Sequence, residues 1–186
     1  MEADWEFEVG GEAPVIDAHW PGFVDLQRAP EQTHLLPESA EHPGLANALA
    51  KLNAADSPVW TSKCDVWPVV DSTEFDVDEL DASPDLATHA MACYIDILPE
   101  SHQRWPSPEM ACTACKQICT VLHALFLRSC RVDLIIRRAV ITPDVDDFGI
   151  TVYLTACGAS QEHAARALQD ALCVFANALC SHSTLQ

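Results

Sequence analysis

Residues 131–157 read RVDLIIRRAVITPDVDDFGITVYLTAC and decide the fold class. The segments 131–142 and 148–157 are rich in β-branched and aromatic residues, which predicts two strands. Between them, Pro143 to Asp147 has the composition of a turn. The stretch therefore predicts an antiparallel hairpin.

The segments on either side extend this hairpin into a larger unit. Residues 90–98 predict a strand, and Ser107 followed by Pro108 marks the start of a helix expected to reach about Arg128, with Phe126 on its buried face. After the hairpin, Gly158 and Ser160 precede a helix predicted over residues 161–180. The order β-α-β-β-α is the ferredoxin-like βαββαβ order without its last strand.

The first half has weaker patterns. Trp5, Phe7 and Val9 alternate with acidic residues, which is typical of a strand with one wet face. Residues 15–26 are a second extended stretch, and Gly10-Gly11 between the two predicts a hairpin. Residues 27–42 indicate a loop, 44–53 a short helix, and 59–70 a strand with Trp60 and Trp67 on opposite faces.

Together these elements predict an α+β protein with a ferredoxin-like α/β sandwich. We expect a mostly antiparallel sheet with helices packed on one face, in a single domain over residues 1–186. Its acidic first half (1–88) ends in an acidic stretch, residues 71–88, which is either a boundary or a surface loop, and its second half (89–186) has the βαββα order. The first half, which has strands of its own, is one source for the missing last strand.

The net charge of −18 is concentrated in one half of the chain. Residues 1–100 hold 21 acidic and 3 basic residues, whereas residues 101–186 hold seven of each. This charge argues against a protein that binds nucleic acid or an anionic membrane through its overall electrostatic field, because both need cationic side chains. The acidic half is either a solvated surface or a surface for a basic partner.

The sequence has no run of apolar residues long enough for a membrane helix and no basic, apolar leader. We therefore predict a cytoplasmic protein that does not bind membranes. The nine cysteines are then expected to be free thiols.

Cys112, Cys115, Cys119 and His123 form one stripe on the predicted helix. Thiolates and an imidazole can bind soft metals, but a stripe over three turns spans about 16 Å and cannot bring all four groups to one ion. Small, buried cysteines on an alanine-rich helix are the simpler interpretation. A redox Cys112-x-x-Cys115 pair lacks the usual aromatic residue before it. We predict no metal site and no cofactor.

Five residues of the first half are candidates for ligand binding. Asp17 and His19 are two apart in an extended stretch, so their side chains share a face, with Trp20 beside them. They are either an acid–base pair, two metal ligands or, as we favour, ordinary polar residues that point outward from an edge strand. Lys63, Asp65 and Trp67 share a face of the predicted strand. Lys63 either neutralises its neighbours or anchors a pocket walled by Trp60 or Trp67. The candidates are Asp17, His19, Trp20, Lys63 and Trp67.

Two charged clusters lie in the second half. The basic cluster consists of Arg128, Arg131, Arg137 and Arg138, and we expect it to pair with the acidic half. The acidic cluster, Asp144, Asp146 and Asp147, fits either turn chemistry or weak cation binding.

The sequence lacks GxGxxG, GxxxxGK[ST], GxSxG and HExxH motifs, so no common catalytic class is indicated. The preferred hypothesis is a non-enzymatic module that binds a small molecule or a basic protein partner, as a homodimer through the exposed sheet face or edge. The alternative is a thiol- or metal-dependent enzyme that uses the Cys112/Cys115/Cys119/His123 stripe or the Asp17/His19 pair.

Overall fold

A computed structural model describes residues 1–70, 75–85, 87–100, 104–142 and 145–181. Its strands are β1 (Glu2–Phe7), β2 (Ile16–Asp17), β3 (Val59–Val69), β4 (His89–Pro99), β5 (Cys130–Thr142) and β6 (Val145–Gly158). Its helices are a 3-10 helix (Pro30–Leu35), α1 (Pro37–Glu41), α2 (Pro43–Leu52), α3 (Pro108–His123) and α4 (Gln161–Ser181). The segment expected to be a loop, residues 27–42, thus contains two short helices.

The strands form one open sheet with the order β1–β5–β6–β4–β3, and β2 also lies beside β5. The pairs β3/β4, β4/β6 and β5/β6 are antiparallel, whereas β1 and β2 run parallel to β5. Strands of the acidic half therefore lie at both edges, and the βαββα half fills the centre. The predicted α+β class with a mostly antiparallel sheet is confirmed. The first half also supplies a strand beside β4, as expected.

The helices α2, α3 and α4 pack together against one face of the sheet. Alternate residues of β4, among them Cys93, Ile95 and Ile97, point into this layer and are fully buried. Leu172 and Phe175 of α4 meet them from the helix side. Removal of these apolar side chains from water is the main force that holds the two layers together.

Segments of the first half cover the two ends of the opposite face. At one end, Ile16 and Ala18 pack with Trp60, Leu98 and Ala139. At the other end, the segment around Leu80 packs on β4 and β6 with Ala87, Ala90 and Cys157. The middle of the face lies between these two clusters.

The predicted hairpin of the first two extended stretches is wrong. Glu2 to Phe7 pair with Arg131 to Ile136, and Ile16 and Asp17 pair with Ala139 and Val140, all in parallel. The chain between them loops out and returns to the same edge of β5, because β5 is long enough to pair with both segments in turn. Only residues 16–17 of the predicted stretch 15–26 form a strand.

The helix α3 ends at His123, five residues before the predicted end. Phe126, expected on its buried face, lies beyond the helix and is 95% exposed. The chain then turns through Ser129, which has a φ of 60°, and enters β5. The helical spacing that placed Phe126 inside does not apply to residues after the helix end.

A bulge in β3 corrects the prediction for its two tryptophans. The pairing with β4 shifts register between Thr61 and Cys64. Because a bulge moves the alternation of side chains by one residue, Trp60 and Trp67 lie on the same face of the sheet rather than on opposite faces. Trp60 packs with Leu98, and Trp67 contacts Tyr94, which shares the face of Leu98 on β4.

In the described part of the chain, no helix combines the length and apolar character needed to cross a lipid bilayer.

Candidate functional site

The loop after β2 is fastened to the bulge of β3. Ser62 Oγ donates a hydrogen bond of 2.7 Å to the carbonyl oxygen of Asp17, and it also lies 3.2 Å from that of Ala18. In return, Trp20 Nε1 donates to the carbonyl oxygen of Ser62 at 3.3 Å. Asp17 also pairs with Val140 of β5, so the two edges of the sheet approach each other at this end.

The fastened loop forms one wall of a cavity of about 290 Å³, which we call the Trp20 pocket. The 3-10 helix, α1 and α2 form the opposite wall, and the β3 bulge forms the floor. Most of its lining is apolar, with a short row of polar groups along the bulge. The lining side chains and backbone come from Trp20, Gly22, Val24, Leu26, Leu35, Leu36, Pro37, Glu38, Leu49, Thr61, Ser62, Lys63 and Cys64.

Lys63 brings a positive charge to this pocket. Its Nζ lies 5.7 Å from the centre of the Trp20 ring, within the range of a cation–π interaction. Among the described residues, no carboxylate oxygen lies within 4.0 Å of this ammonium group. In a chain with so many acidic residues, Lys63 thus keeps its hydrogen-bond donors available beside a cavity of mixed apolar and polar lining.

Arginines of the described residues contrast with Lys63 because they form ion pairs. Three members of the predicted basic cluster bind acids of the first half: Arg128 with Asp81, Arg131 with Glu79, and Arg137 with Glu8. The expected pairing of this cluster with the acidic half is confirmed for these three. The other pairs are Arg28 with Asp25, Arg104 with Asp147, and Arg166 with Glu162.

The pocket also contains the Cys64 thiol. Burial raises the pKa of Cys64 to about 12, and the nearby carboxylates of Glu38, Asp65 and Asp96 act in the same direction. Since the thiolate is the nucleophilic form, the raised pKa disfavours reaction of this thiol at neutral pH.

Asp17 and His19 do not line the Trp20 pocket, although Ser62 of its floor binds the Asp17 carbonyl. The Asp17 carboxylate accepts a hydrogen bond from the backbone N–H of His19 at 3.3 Å, so the contact is to the backbone and not to the imidazole. The His19 ring stacks on Trp60 at 5.8 Å and meets the edge of Phe23 at 5.1 Å. The contacts described for Asp17 and His19 thus do not include a hydrogen bond between their side chains.

His19 lines a second cavity, of about 300 Å³, together with Trp60, Ile141 and an ion pair. Arg104 Nε and one of its terminal nitrogens donate to the two carboxylate oxygens of Asp147 at 2.9 and 2.8 Å. Asp147 is 1% exposed, so this carboxylate serves Arg104 and not a solvent-exposed cation site. The other two acids of the predicted turn cluster, Asp144 and Asp146, are not among the described side chains.

Trp67 lies away from both cavities. Its ring is tilted against Tyr94 at a centroid distance of 6.2 Å, in the middle of the sheet face that the helices leave free. Of the five candidate ligand-binding residues, Trp20 and Lys63 line the Trp20 pocket and His19 lines the second cavity, whereas Asp17 and Trp67 line neither of the two.

The cysteine stripe of α3 belongs mainly to the core. Cys115 and Cys119 are buried, Cys112 is half-buried, and His123 is exposed at the end of the helix. Burial raises the pKa of Cys115, and it raises that of Cys119 to about 11. Within the described residues, no group of three or more His, Cys, Asp or Glu side chains is arranged to hold a metal ion. The core interpretation of the stripe is favoured.

Sequence reasoning missed most of the pocket wall. Leu35, Leu36 and Glu38 come from a proline-containing segment that has no strong periodicity. The one available signal was the isolated Lys63 in an acidic half, which marked the floor. Its aromatic neighbour was expected to be Trp60 or Trp67 but is Trp20.

Comparisons of the chain with protein-family models, with curated proteins and with solved structures found no match.

Proposed function

We propose that the protein is a non-enzymatic binding module for a small, mainly apolar molecule that carries a carboxylate. The ligand occupies the Trp20 pocket, and Lys63 binds its carboxylate. The observation that carries this proposal is the Lys63 ammonium, which lies over Trp20 at a cavity of mixed apolar and polar lining and has no carboxylate oxygen within 4.0 Å among the described residues.

The size of the pocket limits the ligand. Small-molecule sites in proteins begin at about 300 Å³, and this pocket has about 290 Å³. Such a volume holds a short acyl chain or a single substituted ring. The walls formed by Val24, Leu26 and Leu49 favour an apolar body by the ordinary burial of apolar surface.

The one lysine of the pocket determines the polar end of the ligand, although the lining also includes the acidic residue Glu38. Lys63 offers three ammonium donors, and a charge-assisted hydrogen bond to a carboxylate is stronger than a neutral one. The hydroxyls of Thr61 and Ser62 lie along the same floor, but both already have partners in Asn53 and the Asp17 carbonyl. Lys63 is therefore the residue on which carboxylate recognition depends.

We also propose that the sheet belongs to the ferredoxin-like arrangement, with β3 in the position of the last strand. The support is the order β5–β6–β4–β3 with antiparallel neighbours. This assignment concerns architecture and carries no information about function. The cytoplasmic location and the homodimer remain predictions of the sequence.

The test is a titration followed by tryptophan fluorescence. The probes are octanoate, 3-phenylpropanoate and indole-3-acetate, with 1-octanol as an uncharged control for octanoate. We expect at least one carboxylate to change the emission saturably, and we expect Trp20→Phe to remove most of that change. Lys63→Gln should weaken binding by about 10-fold or more, since it removes a charged hydrogen bond.

Lys116→Gln is the matched control, because Lys116 Nζ lies 5.5 Å from the Trp5 ring in the same kind of contact on the helix side of the sheet. This variant should bind like the wild type. The proposal is wrong if Lys63→Gln and Lys116→Gln bind the carboxylate equally well, if 1-octanol binds as tightly as octanoate, or if none of the three carboxylates binds.

A further inference from the structure

The middle of the helix-free sheet face carries a row of side chains that crosses five strands. The pairing registers place Asp65 of β3 opposite Tyr94 of β4, Tyr94 opposite Tyr153 of β6, and Tyr153 opposite Asp133 of β5. Asp4 of β1 lies opposite Asp133 and completes the row. With strands about 4.8 Å apart, the row is about 19 Å long.

All members of the row point away from the helices. On each strand the residues next to them in sequence, such as Cys93, Val152 and Val132, belong to the core under the helices. Because side chains alternate along a strand, the row members lie on the other face. Tyr94 and Tyr153 keep part of their surface accessible, and Asp65 and Asp4 are exposed.

Three aromatic rings form the centre of this surface. Tyr94 lies 6.0 Å from Tyr153 and 6.2 Å from Trp67, with tilted planes in both pairs. Aromatic faces attract cations through the ring quadrupole. The molecule already contains one such contact, since the Arg137 guanidinium carbon lies 5.9 Å from the centre of the Tyr153 ring.

Carboxylates lie at both ends of the aromatic rings. Asp65 is exposed and accepts a hydrogen bond from the backbone N–H of Val66, and among the described residues it has no cationic partner within 4.0 Å. At the other end, Asp133 shares Arg131 with Glu79, and Asp4 lies beside Asp133. The surface thus combines aromatic faces with an excess of negative charge.

This combination selects among the possible occupants of the face. A second copy of the chain docked face to face would bring like-charged carboxylates together, which costs free energy. An acidic or purely apolar partner would leave Asp65 and Asp4 uncompensated. A cationic partner is attracted both by the carboxylates and by the aromatic faces.

We propose that this row, which we call the aromatic–acidic row, binds an extended segment of a basic protein partner through two of its arginine or lysine side chains. One cation lies near Asp65 and the other near Asp133 and Asp4, with the backbone between them over the ring of Tyr94 and beside the Arg137–Tyr153 contact. Asp65 and Asp133 are three strand spacings apart, about 14 Å, which matches residues i and i+4 of an extended chain. This surface is separate from the Trp20 pocket, so the inference does not depend on the function proposed for that pocket.

The experiment uses the full chain and a capped heptapeptide, Gly-Arg-Gly-Gly-Gly-Arg-Gly, with calorimetry at 150 mM salt. Two peptides serve as controls: one with citrulline for each arginine, and one with the two arginines adjacent. We expect the i, i+4 peptide to bind best and the citrulline peptide not to bind. The double variant Asp65→Asn/Asp133→Asn should weaken binding by about 5-fold or more.

A matched variant separates the row from the overall charge. Asp56→Asn/Asp170→Asn removes two exposed carboxylates elsewhere and changes the net charge by the same amount. If both double variants weaken binding equally, the attraction comes from the general field and the proposal is wrong.

The aromatic part of the proposal has its own variants. Tyr94→Phe keeps the ring and should bind like the wild type, whereas Tyr94→Leu should bind more weakly, with thermal unfolding confirming that both fold. Equal binding by both Tyr94 variants, or no binding of the i, i+4 peptide to the wild type, overturns the proposal.

Discussion

Thr151 Oγ1 donates a hydrogen bond of 2.6 Å to Asp96 Oδ1 on the neighbouring strand β4. Asp96 is 6% exposed and Thr151 is 1% exposed, so this hydrogen bond is buried. Arg137 donates to the same threonine oxygen at 3.1 Å and also binds Glu8. Hydrogen bonds through Thr151 and Arg137 thereby connect the buried Asp96 carboxylate, in the centre of the sheet, to Glu8 at the edge next to β1.

The Asp96 carboxylate gives stability a specific pH dependence. Burial raises the pKa of Asp96 above its ordinary value, although the Thr151 bond and the charges of Arg137 and Lys63 lower it in part. An acid whose pKa is higher in the folded state favours folding in its protonated form. The stabilisation that the protonated Asp96 side chain gives the folded state is present below the unfolded pKa of about 3.9. It is lost as the pH rises through the pKa of Asp96 in the folded protein.

We therefore expect Asp96→Asn to have a higher free energy of unfolding than the wild type at pH 7, and the difference should shrink as the pH falls toward 3. Urea unfolding at several pH values measures it. Thr151→Val serves as the companion variant. It should cost about 1–3 kcal/mol at pH 7 and less at low pH, because the hydroxyl stabilises the ionised carboxylate. A lower stability of Asp96→Asn at pH 7 would contradict this assignment.

The thiols should react in an order set by burial. Cys173 is exposed, whereas Cys115 and Cys130 are buried, and burial raises the pKa of Cys130 to about 11. In the native protein at pH 8, we expect a disulfide reagent such as Ellman's reagent to modify Cys173 first, with Cys115, Cys119 and Cys130 reacting only after unfolding. Mass mapping of the modified peptides identifies the sites. Fast native reaction at Cys115 or Cys119 would instead favour the thiol-enzyme alternative.

Local patterns predicted the centre of the sheet well and its edges poorly. The segments that form β4, β5 and α4 have strong periodicity, and caps or turns mark most of their ends. Their secondary structure can therefore be predicted from their own residues. The parallel pairing of β1 with β5 joins residues about 130 apart, and no local pattern encodes such a choice. The bulge between Thr61 and Cys64 inverts side-chain alternation without any change in composition.

The candidate site could likewise be predicted from the sequence only in part. Lys63 was recognisable because a lysine is rare in the acidic half, but its partner Trp20 comes from a loop 43 positions earlier. The aromatic–acidic row depends on the register of four strand pairs. Asp65 and Asp133 therefore lie on one surface only after the chain has folded. Residues that act together through register cannot be identified from spacing along the chain.

Gly44 should be intolerant of any side chain, because it is the point where α2 crosses α4. A Cβ at this position would lie 2.6 Å from Cγ and 3.0 Å from Cα of Gln169. The side chain of Gln169 can move, but its backbone cannot do so without shifting α4. Alanine has the higher helix propensity, by about 1 kcal/mol, yet overpacking costs typically about 1–3 kcal/mol. We expect Gly44→Ala to lower the free energy of unfolding, and Gly44→Ala/Gln169→Ala to recover only part of the loss.

Gly11→Ala is the control, since a Cβ there would have no atom within 4 Å. A Gly44→Ala variant as stable as the wild type in urea unfolding would show that the two helices do not approach this closely.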